Sequence, residues 1–208
     1  MPSITRRATD PGRRASVEAQ ILAATERLLA GGASFTELGV QRIAAEAGVA
    51  RSTFYTHFRD KSELLVRLAH EMRTIGYDTG IDWKPSDGLD VLIDVFQRIV
   101  RVYREYAAVL AAISEVAAYD ATVRDFWIAG HSRFVEHTVQ VLTSERDGNR
   151  IPDLHVSYAA QVIVIGGDRA ISEYVATTPG DSSGDDAFGE ELAKIWWYGA
   201  YQRRPQQG

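Results

Sequence analysis

The chain contains no cysteine. Disulfides, thiolate metal sites and cysteine nucleophiles are therefore excluded together, and the composition suits a reducing cytoplasm. No stretch approaches the roughly 18 uninterrupted apolar residues of a membrane-spanning helix. The arginine-bearing start, MPSITRRATDPGRRAS, is not followed by the apolar segment of a secretory leader. The expectation is a cytoplasmic protein with no membrane partner. Catalytic signatures are missing too: there is no HExxH and no phosphate loop, and His131 and His137 are spaced so that they point to different helix faces. No residue is nominated as catalytic or as a metal ligand, and no enzyme activity or cofactor is expected.

What is present is ordinary globular material. Of 208 residues, 45% are hydrophobic and 25% charged, enough apolar surface for a sizeable core and enough length for one large domain or two unequal units. The net charge of −5 looks wrong for a nucleic-acid binder until it is divided along the chain. Residues 1–61 carry nine Lys/Arg against six Asp/Glu, whereas residues 62–208 carry fourteen against twenty-two. Only the first third is poised for phosphate.

Apolar residues recur at helical spacing throughout, predicting an all-α chain of about nine helices. The first helix is expected from near Ser16 to the Gly31-Gly32 pair, and the second is short, ending at Gly48. A third short helix lies in ARSTFYTHF, and a longer one opens at Lys61-Ser62. Leu89, Leu92, Ile93, Phe96, Ile99, Val100 and Tyr103 mark a strongly amphipathic fifth helix, with Ser86 or Asp87 as its cap. Four more follow, the eighth with Asp153 as a candidate cap. VIVI at 162–165 is β-branched but keeps helical spacing, so it reads as buried helix. The organisation expected is a flexible basic arm at 1–15, a DNA-binding domain at 16–61, a helical ligand-binding and dimerisation domain at 62–202, and a disordered tail at 203–208.

The second and third helices carry the chemistry. A helix-turn-helix reader needs two short helices joined at a glycine turn, the second presenting polar side chains to the major groove. In IAAEAGVARSTFYTHF, Ala44, Ala47 and Gly48 permit close approach, Val49 plugs the gap, and Phe54 and Phe58 point inward. The opposite face holds Arg51, Ser52, Thr53, Tyr55, Thr56 and His57. Arg51 suits a guanine and Ser52 a base edge, while Tyr55 or Thr56 suits thymine methyls. Thr53, His57 and Lys61 suit phosphate, with the amides at Lys61 and Ser62 adding to it. Arg6, Arg7, Arg13 and Arg14 read as an arm for the backbone or minor groove.

IAAEAGV followed by RSTFYTHFRDKSELL resembles the signature of the TetR family of transcriptional regulators over about residues 16–70. The resemblance implies an obligate dimer that binds operator DNA, with a divergent helical ligand domain. Family members usually begin the second helix with a Ser or Thr that caps it and touches phosphate. Here that place is Gly39, which offers only its amide, and Thr36 is the candidate substitute.

Beyond residue 75 aromatics are the main clue. Phe96 and Tyr103 share one stripe while Trp127, His131 and Phe134 lie along one side of the long seventh helix, so the two helices would face each other across an aromatic cleft, or simply pack as core. Gly130 and the Gly166-Gly167 pair each cost roughly 1 kcal/mol relative to alanine inside a helix. Close helix approach or a backbone bent around a ligand would offset that cost. AAVLAAISEV, DFW and IWWYGAYQ give this part a looser resemblance to the ethionamide-resistance, EthR-like branch of the family. Its register implies a channel touching Leu92, Phe96, Trp127, Phe134, Thr138, Val164, Gly167 and Trp196. Val164 and Gly167 stand where that branch has polar amides, and Glu115, Asp168 and Tyr174 are the candidate replacements, although an aspartate such as Asp168 more often pairs with a neighbour, here Arg169, or with another helix. The last two helices carry Val162, Ile165, Ile171, Val175, Phe188, Leu192, Ile195, Trp196 and Tyr198, too much apolar surface for a monomer to expose. The family resemblance implies that this pair forms a four-helix bundle with its mate. The reading is a repressor released from its operator by a small apolar or amphipathic molecule. Left open beside it are a helical small-molecule-binding protein and an activator whose DNA binding is not ligand-regulated.

Overall fold

The computed structural model describes residues 11–202, with side chains from Ala15 onward. Arg6, Arg7 and the tail at 203–208 lie outside the described residues. The described residues form nine α-helices and no strand. They are α1 (Pro11–Ala30), α2 (Val40–Glu46), α3 (Arg51–His57), α4 (Lys61–Gly80), α5 (Gly88–Glu105), α6 (Ala107–Ala117), α7 (Ala121–Asp147), α8 (Val156–Thr177) and α9 (Asp185–Trp196). A 3-10 turn at Pro85–Asp87 precedes α5, and a π turn at Trp197–Tyr201 continues α9.

Helix α1 begins at Pro11, earlier than the sequence suggested. Proline is well placed at the first helical position, where its fixed φ and missing N–H cost nothing. Arg13 and Arg14 therefore stand on helical backbone instead of a free arm, and their side chains lie outside the described residues. Two helix starts are capped by aspartates that sequence reading passed over. Asp60 accepts from the Glu63 amide at 2.9 Å, and Asp120 accepts from the Thr122 and Val123 amides at 2.8 and 3.2 Å. Two expected caps are corrected. The Asp87 carboxylate turns back to the Lys84 amide at 2.9 Å, and α8 starts after His155 without a side-chain cap.

Three apolar clusters organise the chain. The first joins Ile21, Phe35, Ile43, Phe54, Phe58, Leu64 and Leu68 to Val109, Ile113 and Val116 of α6 and to Val123 of α7. No break in packing therefore separates residues before and after 61. The second cluster sets Leu92, Phe96 and Val100 of α5 against Ile171 and Val175 of α8 and Leu192 of α9. The third gathers Leu142, Ile151, Leu154, Ala160 and Tyr201 at the far end.

The α5–α9 pairing is close because residue 189 is glycine: a Cβ there would lie 2.8 Å from Gln97 Cα and 2.9 Å from its amide nitrogen. Backbone cannot yield as a side-chain tip does. Gly189→Ala is expected to cost about 1–3 kcal/mol through overpacking, measurable as a lower midpoint in urea with an unchanged slope. The same layer is tied by a buried ion pair. Arg104 donates to Asp185 at 2.6 and 3.2 Å and to the Thr178 hydroxyl at 3.0 Å, with the Tyr174 ring 5.3 Å from its guanidinium.

Candidate nucleic-acid interface and ligand cavity

Helices α2 and α3 meet through a turn in which Gly48 adopts φ +68°, a left-handed conformation that favours glycine. The Val49 amide closes the turn onto the Ala44 carbonyl at 2.9 Å. Phe54 and Phe58 are fully buried with ring centroids 5.5 Å apart, which fixes the rotation of α3. Its outer edge consequently carries Arg51, Ser52, Tyr55 and Thr56 exposed, with Thr53 and His57 half-buried. The Arg51 guanidinium lies 5.8 Å from the Tyr55 ring centroid, so the two largest side chains of that edge are stacked. The Thr56 hydroxyl donates to the Thr53 carbonyl at 2.6 Å, and His57 Nδ1 is buried without a hydrogen-bond partner. Gly39 occupies the N-cap of α2, exposed and with no side-chain cap, leaving its backbone as the group available there.

Two expected phosphate ligands have other work. The Lys61 ammonium donates to the carbonyls of Phe35, Thr36 and Leu38 at 2.8, 3.1 and 2.9 Å, closing the α1–α2 loop onto the start of α4. Burial lowers its pKa, with Glu115 acting in the opposite direction. A cation with all three protons engaged holds the head together and is not free to reach a phosphate. Thr36, the suggested stand-in for a capping hydroxyl, bonds to the Glu115 carboxylate and lies 2.9 Å from the Tyr119 hydroxyl. Ser34 also donates to Glu115, at 3.3 Å, and Ser62 donates to Asp120 at 2.5 Å. These bonds dock the reading head onto α6 and the start of α7. The Ser62 hydroxyl and the Thr122 and Val123 amides hold the Asp120 carboxyl below the usual carboxylate range, against burial.

A cavity of about 130 Å³ opens between α4, α5, α7 and α8. Leu92, Phe96, Tyr103, Phe134, Thr138, Val164, Gly167 and Trp196 all line it. Its wall is mostly apolar, with one cluster of polar side chains. There Tyr103 donates to Asp168 Oδ1 at 2.5 Å, and His131 Nε2 sits 2.9 Å from Asp168 Oδ2 without the alignment of a hydrogen bond. Burial, then the Asp168 charge, raises the Tyr103 pKa well above its ordinary value, and burial lowers that of His137 on the same wall. Both are neutral near pH 7.

The sequence of residues 21–68 matches the family model of bacterial regulatory proteins of the tetR family. Over 139 residues the chain is 27% identical to the HTH-type transcriptional regulator EthR of Mycolicibacterium smegmatis, a match covering 65% of this chain and 64% of that relative, slightly under two thirds of its length. The fold superposes on NalD, the secondary repressor of the MexAB-OprM multidrug efflux pump in Pseudomonas aeruginosa, with a TM-score of 0.71 and 19% identity over 93% of this chain and 100% of that one. It also superposes on Salmonella enterica GusR, with a TM-score of 0.68 and 16% identity over 95% and 100% of the two chains. Residues 21–68 are thus a DNA-binding segment of the tetR type. The chain has the N-terminal helix-turn-helix and the all-helical remainder expected from its sequence.

One expected cavity residue is misplaced. Trp127 does not line the cavity; it packs on the cluster shared by the head and α6, with Arg73 stacked 4.6 Å from its ring. The cause is Arg73, which fills the space between Trp127 and the cavity. Of the suggested polar replacements only Asp168 faces the cavity, and it meets Tyr103 and His131 while Arg169 pairs with Glu173 at 3.0 Å. Tyr174 stacks on Phe188 at 4.1 Å, and Glu115 belongs to the head junction. The sequence reading missed the α4 wall altogether, namely Met72, Arg73, Gly76 and Gly80, as well as Trp83 and Tyr201. Gly76 and Gly80 at i, i+4 on one face were the available signal. Gly167 faces the Trp196 indole nitrogen, which would stand at contact distance, 3.4 Å, from a Cβ and is itself buried without a partner.

The apolar stripes of α8 and α9 divide between two faces. Ile171, Val175 and Leu192 are buried in the core, whereas Val162, Ile165, Ile195 and Tyr198 are exposed, Val162 by 71%. Gly166, beside Ile165, meets nothing within 4 Å and leaves that face flat.

Proposed function

We propose that this TetR-family chain is a homodimeric repressor that binds double-stranded operator DNA through α3 and is released when a small, mostly apolar molecule occupies the cavity. The observation that carries the reading is the double position of α4. Its first turn is bonded to the reading head through Lys61 and to the start of α7 through Ser62, and its later residues, Met72 to Gly80, form a wall of the cavity. Occupancy and head placement thus act on one helix, which is what a coupling free energy between two sites requires. The cavity volume is similar to the roughly 150 Å³ apolar cavities known to admit a benzene-sized molecule. The described role of NalD as a repressor supports repression as the direction of control.

DNA contact is assigned to Arg51, Ser52, Tyr55 and Thr56 for base edges, with Thr53, His57 and the Gly39 amide for phosphate. Two heads spaced by roughly 34–36 Å would meet successive major grooves. The exposed face of Val162, Ile165, Ile195 and Tyr198 suits an isologous contact with a second copy. Glutamate at both Val162 and Ile195 is expected to yield a folded monomer by sedimentation, with operator affinity reduced along with dimerisation. The reading itself is tested by a gel shift on the duplex upstream of the coding region across a salt series. A specific shift whose affinity falls with salt supports it, and equal affinity for unrelated duplex overturns it.

A further inference from the structure

We propose that Arg73 is the residue through which cavity occupancy reaches the reading head, an inference that rests on the ligand-responsive reading above. Arg73 leaves α4 at the border between the cavity and the cluster shared by the head and α6. Its guanidinium lies in a notch on α7 that exists only because residue 130 is glycine. A Cβ at that position would stand 1.3 Å from Nη1 and 1.6 Å from Cζ. Inside the notch Nη1 donates to the Phe126 carbonyl at 3.0 Å and Nη2 to the Trp127 carbonyl at 2.9 Å. The rings of the same two residues flank the guanidinium with centroids 5.4 and 4.6 Å away.

Phe126 and Trp127 pack on the cluster that contains Phe35, Phe54 and Phe58 of the head. Arg73 therefore bolts α4 to the part of α7 that carries the head's own core, while another side of the same residue borders the cavity near Tyr103 and Asp168. The contact is a fit of a planar group into a slot with hard walls, so a shift of α4 along α7 either keeps the guanidinium seated or expels it. An element with two discrete arrangements is what propagates a small displacement in a close-packed interior. A molecule that presses on Met72 and Gly76, next to Arg73 on the same wall, acts on the seated arrangement first. This also accounts for Gly130 in the middle of a long helix, where alanine would otherwise be favoured by roughly 1 kcal/mol.

The test uses a tethered occupant in place of an unidentified ligand. Gly76 is buried on the cavity wall, and a Cβ there would meet nothing within 4 Å, so Gly76→Leu places a side chain in the cavity. The full-length chain with and without this change is compared in three backgrounds: unaltered, Arg73→Met, and Gly130→Ala, the last of which evicts the guanidinium without removing it. Filling is expected to weaken affinity for the upstream duplex about tenfold in the unaltered background, and by less than about twofold in both others. Amide exchange along α3, followed without DNA, is expected to accelerate on filling only where Arg73 is seated. An equal effect of filling in all three backgrounds overturns the role of Arg73 and leaves the ligand-responsive reading standing. No effect of filling even in the unaltered background, by either measurement, overturns both.

Discussion

Alanine at both Arg51 and Tyr55 is expected to lower affinity for the specific duplex by about a hundredfold or more, each base-edge contact being worth roughly 1–3 kcal/mol. Arg51 is exposed and Tyr55 half-exposed, its ring touching Phe54 only edge-on with centroids 5.3 Å apart, so both can be removed with Phe54 and Phe58 still buried and the fold retained. Because they touch, their separate effects will not add, and each single variant should cost more than half of the pair. Fluorescence anisotropy over a salt series distinguishes the roles. Loss of a base reader lowers affinity for the specific site more than for random duplex, whereas loss of a phosphate contact lowers both and reduces the salt slope by about one. Undiminished specific affinity in the double variant would remove α3 as the reading element.

The largest stability change is expected from Asp185→Ala. The carboxylate is nearly inaccessible and takes two hydrogen bonds from Arg104, joining α5 to the start of α9. Removing one partner leaves a desolvated guanidinium with the Thr178 groups and the Tyr174 ring for company, and breaking such a pair costs about 3–5 kcal/mol. For a chain of this size the midpoint of thermal unfolding should fall by roughly 10 °C. The neighbouring pair of Arg101 and Asp186 is an internal control. Its side chains are 57% and 66% exposed, so Asp186→Ala should cost no more than about 1 kcal/mol. Equal effects at the two positions would mean that burial is not what gives the Arg104 pair its strength.

What is legible in the sequence depends on the range of the interactions involved. Helix α5 was legible because its periodic stripe is a local property and the core it meets needs only an apolar partner. The α2–α3 unit was legible for a stronger reason: a glycine turn, two inward phenylalanines and a polar edge fall within one short segment, so the constraint and the chemistry lie together. Lys61 was misassigned since its three acceptors are more than twenty residues upstream, and a lysine at a helix start looks the same whether it meets carbonyls or phosphates. Trp127 was misassigned because period alone put it on the side of α7 that bears Phe134, while the arginine that separates it from the cavity comes from α4.

The sequence by itself determined an all-helical chain and the location and outward edge of the reading helix. Those features depend on spacing within a helix, which backbone geometry dictates one turn at a time. The tertiary structure alone decided that α4 walls the cavity, that Gly130 makes room for a guanidinium, that the head shares its core with α6, and which apolar residues of α8 and α9 remain uncovered. Each of these depends on which residues far apart along the chain are brought into contact, and one-dimensional periodicity carries no information about that choice.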